Sequence, residues 1–163
     1  MARRVYFAFH YERDVWRAGQ VRNSWVTKPD REAAGFWDAA AWEEVKKKGE
    51  EAIKRWIDKQ LEGTSVTIVL IGAETNSRDY IKYELEQSWE RSNGILGIYI
   101  HQIKDENRRT DTKGSNTFGP IFTSHDDDKK YFYERFSTYD WVDDDGYNNI
   151  GDWVERAAKK AGR

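Results

Sequence analysis

The sequence predicts an α/β fold: a doubly wound parallel sheet of about five strands, order 2-1-3-4-5, with helices on both faces. Three observations lead there. Short runs rich in Val, Ile and aromatic residues alternate with longer amphipathic stretches. One run, "SVTIVLIG" at 65–72, is apolar throughout, as a central parallel strand covered on both faces has to be. No repeat, linker or shift of composition divides the chain, so its 163 residues read as one domain, 1–163, long enough for a sizeable core.

The elements follow in order. "RRVYFAFHY" is β-branched and aromatic and reads as strand 1, residues 3 to 9. In "ERDVWRAGQVRN", Val15, Trp16 and Val21 stand against Arg and Glu, a short amphipathic helix. Pro29 and Gly35 interrupt 23–41, where "GFWDAA" reads as a short edge strand at 35–38. Residues 42–62 give the clearest helix: Trp42, Val45, Gly49, Ile53, Trp56 and Leu61 recur at three- to five-residue steps, and Gly63 stops it. After the central strand comes a helix over 78–92, then a buried strand, "GILGIYIH", at 94–101. Residues 104–128 are polar and contain Pro120, the marks of a long loop. "DKKYFYERF" reads as helical, "STYDWV" as the last strand and "NIGDWVERAAKKAG" as the closing helix.

Composition removes several classes of function. The formal charge of −2 supplies no basic field for nucleic acid or anionic lipid. No Cys is present, which excludes disulfides, thiolate zinc sites and cysteine nucleophiles and fits a reducing, cytoplasmic location. "MARRVYFAF" has too short an apolar run for a signal peptide, and no stretch approaches the ~18 apolar residues of a membrane helix. None of the three histidines stands at i, i+4 from another, and "HDDD" (125–128) and "DDD" (143–145) lack calcium-loop spacing, so no metal site is expected. "FHYERD" after strand 1 contains no glycine, which argues against a Rossmann dehydrogenase, and there is no GxSxG elbow.

In such sheets ligands bind outside the carboxyl ends of the strands, where the strand order reverses. For 2-1-3-4-5 that place lies between strands 1 and 3. Phe9, His10 and Tyr11 leave one side of it, and Gly72, Glu74 and Thr75 the other. The helix after strand 3 borders the same crevice and carries Glu84. On a continuous helix Ser77 and Glu84 project within roughly 20° of each other. Tyr80 lies beside Glu84 at i, i+4, and Ile81, Leu85 and Trp89 form the neighbouring apolar stripe. Spacing alone leaves two readings: a solvated helix glutamate with Lys82 or Arg91 as countercharge, or a partly desolvated carboxylate facing a substrate. His10 and Tyr11 either stack on a base and bond a ribose or phosphate, or satisfy local backbone. Asp14, Arg17, Arg22 and Asn23 follow on the first helix, where an arginine either binds pyrophosphate or is salt-bridged. Trp37 and Asp38 close the second strand near the pocket. His101 ends strand 4 on the same side of the sheet.

Three segments resemble a known family: "VYFAFHYERDVWRAGQVRNSW", "GTSVTIVLIGAETNSRDYIKYELEQS" and "NGILGIYIHQIKD". In this order and spacing they are similar to the TIR-like ThsB proteins of Thoeris anti-phage defence, over residues 3–105 and more loosely beyond. The resemblance implies a flavodoxin-like (TIR-like) fold and an enzyme of the NAD+ glycohydrolase or ADP-ribosyl cyclase kind. Such an enzyme breaks the nicotinamide–ribose bond and releases an ADP-ribose-derived, cyclic signal. NAD+ is then substrate rather than tightly bound cofactor, and the signal acts on a separate effector protein; a homo-oligomer stays open. In TIR enzymes the catalytic residue is a glutamate in the helix after the third strand, which maps onto Glu84. Substrate binding is expected of Phe9, His10, Tyr11, Asp14, Arg17, Asn23, Asp38, Ser77 and Tyr80. The departure is at Tyr80 and Tyr83, where the family more often has Trp and Cys, and this bears on the shape of the nicotinamide pocket. The same fold also serves non-enzymatic protein–protein interaction modules and nucleotide- or flavin-binding modules.

Overall fold

The computed structural model describes residues 3–36, 39–78, 80–118 and 136–163. Strands β1 (Arg3–Ala8), β2 (Arg31–Ala34), β3 (Val66–Ile71), β4 (Gly94–Tyr99) and β5 (Thr138–Asp140) form one sheet in the order β2-β1-β3-β4-β5. Every neighbouring pair is parallel, so the expected order and direction are those observed. The helices are α1 (Tyr11–Val26), α2 (Ala39–Lys47), α3 (Glu50–Leu61), α4 (Ile81–Glu90) and α5 (Gly146–Lys160). Parallel strands need right-handed crossovers. The chain moves outward from β1 to β2 and then back across to β3 and β4, so α1 covers one face and α3 and α4 the other. α5 meets α1, and α3 meets α4, as two such layers require.

The core follows from the apolar runs. All six residues of β3 are buried, as are Tyr6 and Phe7 of β1, and Trp25, Ile57 and Leu85 close over the sheet from the two helical layers. Each such aliphatic side chain contributes about 1.5–3 kcal/mol by leaving water. At the far edge Tyr139 of β5 stacks on Trp153 of α5, with centroids 4.2 Å apart and planes 7° off parallel. Gly94 lets α5 come close: a Cβ there would lie 2.5 Å from the Ala157 carbonyl. Thr75 ends β3, its Oγ1 accepting from the Gly72 amide at 2.8 Å and donating to the Leu70 carbonyl at 3.3 Å.

Four element boundaries differ from the sequence reading. The helix expected over 42–62 is two helices, α2 and α3, parted at Gly49, whose φ of 94° no helix accommodates. The edge strand is Arg31–Ala34, ahead of the expected 35–38, of which 37 and 38 lie outside the described residues. Its register on β1 runs from Arg3↔Arg31 to Tyr6↔Ala34, and Gly35 then turns away with φ 90°. The first helix extends from Tyr11 to Val26. The helix expected over 78–92 begins only at Ile81, after a 3-10 turn at Thr75–Ser77. Residues 104–116 hold no helix or strand, in keeping with the loop expected there. The helix expected in "DKKYFYERF" lies outside the described residues, apart from Phe136. Among the described residues no helix is long and apolar enough to cross a membrane.

Candidate active site

Glu84 is the fourth residue of α4 and is 1% exposed. Its helix turns inward at this point, because Ile81, Leu85 and Ser88 share the buried face. The carboxylate receives three hydrogen bonds. Arg78 gives two, from Nη1 to Oε2 at 2.6 Å and from Nη2 to Oε1 at 2.7 Å, the parallel fork that fits a guanidinium to a carboxylate. The Tyr6 hydroxyl of β1 donates the third, to Oε1, at 3.0 Å. Burial works against the Arg78 charge, but the Glu84 carboxylate outweighs it and holds the guanidinium pKa above its ordinary value. Burial first, and the Glu84 charge second, push the Tyr6 phenol well above its usual range. Tyr6 therefore stays a neutral donor. The group is a charged carboxylate fixed from the sheet by one hydroxyl and capped from the loop by one cation.

On the other face of the sheet Asp14 and Arg17 of α1 are also buried. Arg17 donates from Nε to the Ile103 carbonyl at 2.6 Å and from Nη2 to the Arg109 carbonyl at 2.8 Å. It lies 3.9 Å from Asp14, 3.8 Å from Asp105 and 3.7 Å from Asp111. One nitrogen of Arg13, Nη2, donates to both Asp111 carboxylate oxygens, at 2.8 and 3.0 Å. Together the two arginines tie the chain after β4 onto the first turns of α1. Neither oxygen of Asp14 has a hydrogen-bond partner, and Gly72 packs so closely that a Cβ there would meet Asp14 Oδ2. Burial raises the Asp14 pKa to about 6, against the opposing pull of His10, Arg17 and Arg13.

The remaining expected residues divide by position. Phe9 stacks on Tyr11 at 5.5 Å and packs on Phe36 at 5.0 Å, while Tyr11 meets Trp42 at 5.3 Å, an aromatic cluster at the carboxyl end of β1. His10 caps α1, its Nδ1 accepting from the Arg13 amide at 3.2 Å. Asn23 is exposed in the last turns of α1, and nine residues of helix place it about 13 Å along the axis from Asp14. Ser77 is exposed in the 3-10 turn, its hydroxyl donating to the Glu74 carbonyl at 2.8 Å. It does not share a helix face with Glu84, because α4 starts four residues later. Tyr80 is half-buried at the start of α4. With Tyr83, Lys54, Lys82, Glu50 and Glu86 it lines a shallow cavity of about 400 Å³. Asp38 lies outside the described residues. A larger cavity, about 1190 Å³, sits at the amino end of β4, between Trp89, Tyr139 and Trp153. Glu84 lines neither.

The structure thus joins Glu84 to Arg78 and Tyr6, which the sequence reading did not single out, rather than to residues 9–11. A signal for Tyr6 was present: a tyrosine inside a buried strand needs a partner for its hydroxyl. Arg78 stands in the same "SRDYIKYELEQS" segment, but on an unbroken helix a six-residue step points about 120° away. Among the described residues no group of three His, Asp or Glu is placed to hold a metal ion.

The fold is a doubly wound α/β domain of flavodoxin-like strand order, TIR-like in form, with a buried glutamate in the helix after its third strand. Residues 6–105 match the family described as Thoeris protein ThsB, TIR-like domain. The chain is 37% identical, over 191 aligned positions, to the Bacillus cereus (strain MSX-D12) protein named "Putative cyclic ADP-D-ribose synthase ThsB1". The alignment covers 94% of this chain and 100% of that relative. The chain belongs to the ThsB TIR-like family.

Proposed function

We propose that this protein cleaves the nicotinamide–ribose bond of NAD+ and releases an ADP-ribose-derived, cyclic product that acts on a separate effector in anti-phage defence. The observation that carries this reading is the end-to-end match to a relative named for cyclic ADP-ribose synthesis. The chemistry is compatible with one buried carboxylate. The C1′–N bond breaks with its electron pair going to the pyridinium nitrogen, so nicotinamide leaves neutral and positive charge develops on the ribose. A carboxylate against that ribose stabilises the oxocarbenium-like state. The leaving group is already cationic, so no paired general acid is needed. Attack on C1′ by an adenine ring nitrogen, or by a hydroxyl that gives its proton to water, closes the ring, whereas attack by water gives ADP-ribose.

Glu84 is the carboxylate in this proposal, with Tyr6 holding it from the sheet. The aromatic residues Phe9 and Tyr11 and the polar residues His10, Asp14 and Arg17 border the nucleotide. Glu84→Gln keeps the shape and removes the charge. It is expected to lower NAD+ turnover at least about 100-fold, the loss that accompanies removal of a group stabilising charge in a transition state. Chromatography of NAD+ and its products, with and without the substitution, reads the effect. Equal turnover in the variant would take Glu84 out of the reaction.

A further inference from the structure

The ion pair that covers Glu84 conflicts with the task proposed for it. A carboxylate offers about four lone-pair positions. Arg78 takes two and Tyr6 a third. The guanidinium holds both carboxylate oxygens at hydrogen-bond distance, and its charge cancels the field that a ribosyl cation would need. Two cations on one buried carboxylate repel each other strongly where water is scarce. With Arg78 in place Glu84 is neutralised and blocked, so the arrangement is a resting state.

Arg78 is built to leave, and Tyr6 is not. Tyr6 belongs to β1, paired on both sides by β2 and β3. Arg78 lies in the segment between the Thr75 staple and α4, with an extended backbone at φ −71°, ψ 128° that belongs to neither the 3-10 turn nor the helix. Its side chain is 10% exposed, against 1% for Glu84, so of the pair it is the arginine that reaches toward solvent. A side chain with four rotatable carbon–carbon or carbon–nitrogen bonds can turn away from Glu84 without moving the strand or the helix.

We infer that Arg78 is a latch on Glu84 which the diphosphate of a dinucleotide opens, the guanidinium passing from the carboxylate to the phosphate oxygens as the ribose takes its place. The same fork that fits a carboxylate fits a phosphate. In a dinucleotide the diphosphate is separated from the ribose ring by one methylene group, so an arginine beside the carboxylate needs only a short swing to reach it. Recognition of the diphosphate and unmasking of the acid become one event. Tyr6 keeps the carboxylate in position while the cation departs. Arg78 is thus a residue that sets specificity: a nicotinamide riboside, which has the scissile bond but no phosphate, leaves the latch shut. No bond is made or broken in the exchange, which moves one cation between two anions. The inference rests on Glu84 being the acting carboxylate.

The test reads binding, separately from turnover. ADP-ribose and adenosine are titrated by calorimetry into the wild type, Glu84→Gln, Glu74→Gln and the double variant Arg78→Gln/Glu84→Gln. The double variant removes both charges at once, so it leaves no orphan ion buried and keeps the fold. In Glu84→Gln the latch has no anion to release, and ADP-ribose is expected to bind at least about five-fold tighter than to the wild type. The gain should be absent for adenosine and absent in the double variant. Glu74→Gln, which removes an exposed acid from the same loop, should give no such gain. Unchanged or weaker ADP-ribose binding in Glu84→Gln, an equal gain for adenosine, or a gain that survives in the double variant overturns the latch. The turnover assay separates the two claims. Loss of turnover without the affinity gain removes the latch and leaves Glu84 in its role. The affinity gain with turnover intact removes Glu84 from catalysis and leaves Arg78 as a diphosphate ligand.

Discussion

Asp14 and Glu84 hold the same place in two helices. Each is the fourth residue of a helix that leaves the carboxyl end of a central strand, and each is 1% exposed. They sit on opposite faces of the sheet. Glu84 receives three donors, two from Arg78 and one from Tyr6. Asp14 receives none, with its nearest cation, Arg17, at 3.9 Å and committed to two backbone carbonyls. Burial is the same in both, so what separates them is the donors. A buried acid without donors has nothing to offset its loss of water, and burial raises the Asp14 pKa to about 6.

Four substitutions sharpen this contrast. Arg78→Ala strips the donated side of its fork and leaves Glu84 buried with Tyr6 alone. Loss of about 3–5 kcal/mol is expected in denaturant unfolding, the cost of breaking one half of a buried pair. Asp14→Asn should do the opposite. The folded protein holds the Asp14 proton up to about pH 6, whereas the unfolded chain releases it near the ordinary 3.8. Folded protein therefore binds more protons between those values, and the Asp14 contribution to stability falls as pH rises from about 4 to 6, by about 3 kcal/mol at most. The asparagine variant should lose that slope and be more stable than the wild type at pH 7; an unchanged slope in urea titrations across this range would place the shift elsewhere. Tyr6→Phe removes one hydrogen bond to a charged acceptor and should cost about 2 kcal/mol without changing that pH slope. Asp111→Asn weakens the partly exposed ion pair with Arg13 and should cost less than about 1 kcal/mol, read as a small shift in melting temperature.

Much of the fold could be read in the chain because burial writes itself into composition. Val66–Ile71 can only be a strand covered on both faces, and its place in the middle of the order follows. Where local preference was weak, pairing decided. "REAA" at Arg31–Ala34 has no β-branched residue and becomes a strand through its register on β1. A single residue also misled: Gly49 fits the apolar stripe of one long helix, yet its positive φ makes two. In the candidate site the neighbours Ile81 and Leu85 put Glu84 beside the buried face but left a solvated reading open, and the structure decides it at 1% exposure. The partners of Glu84 were not legible. Arg78 reaches the carboxylate only because the helix starts at Ile81, and Tyr6 reaches it across 78 positions of sequence. The aromatic meeting of Phe9, Tyr11, Phe36 and Trp42 is likewise a product of tertiary folding, joining an exit loop to a helix.

Arg17 has a further consequence for the chain that follows β4. That stretch has no ladder of its own, and the guanidinium grips it through the carbonyls of Ile103 and Arg109, not through their side chains. A grip on main-chain oxygens does not read the letters of the sequence. The Arg109 position can change without loosening that grip, whereas Ile103 is held a second time by its own buried side chain. The path of residues 103–111 is thereby tied to a helix far upstream.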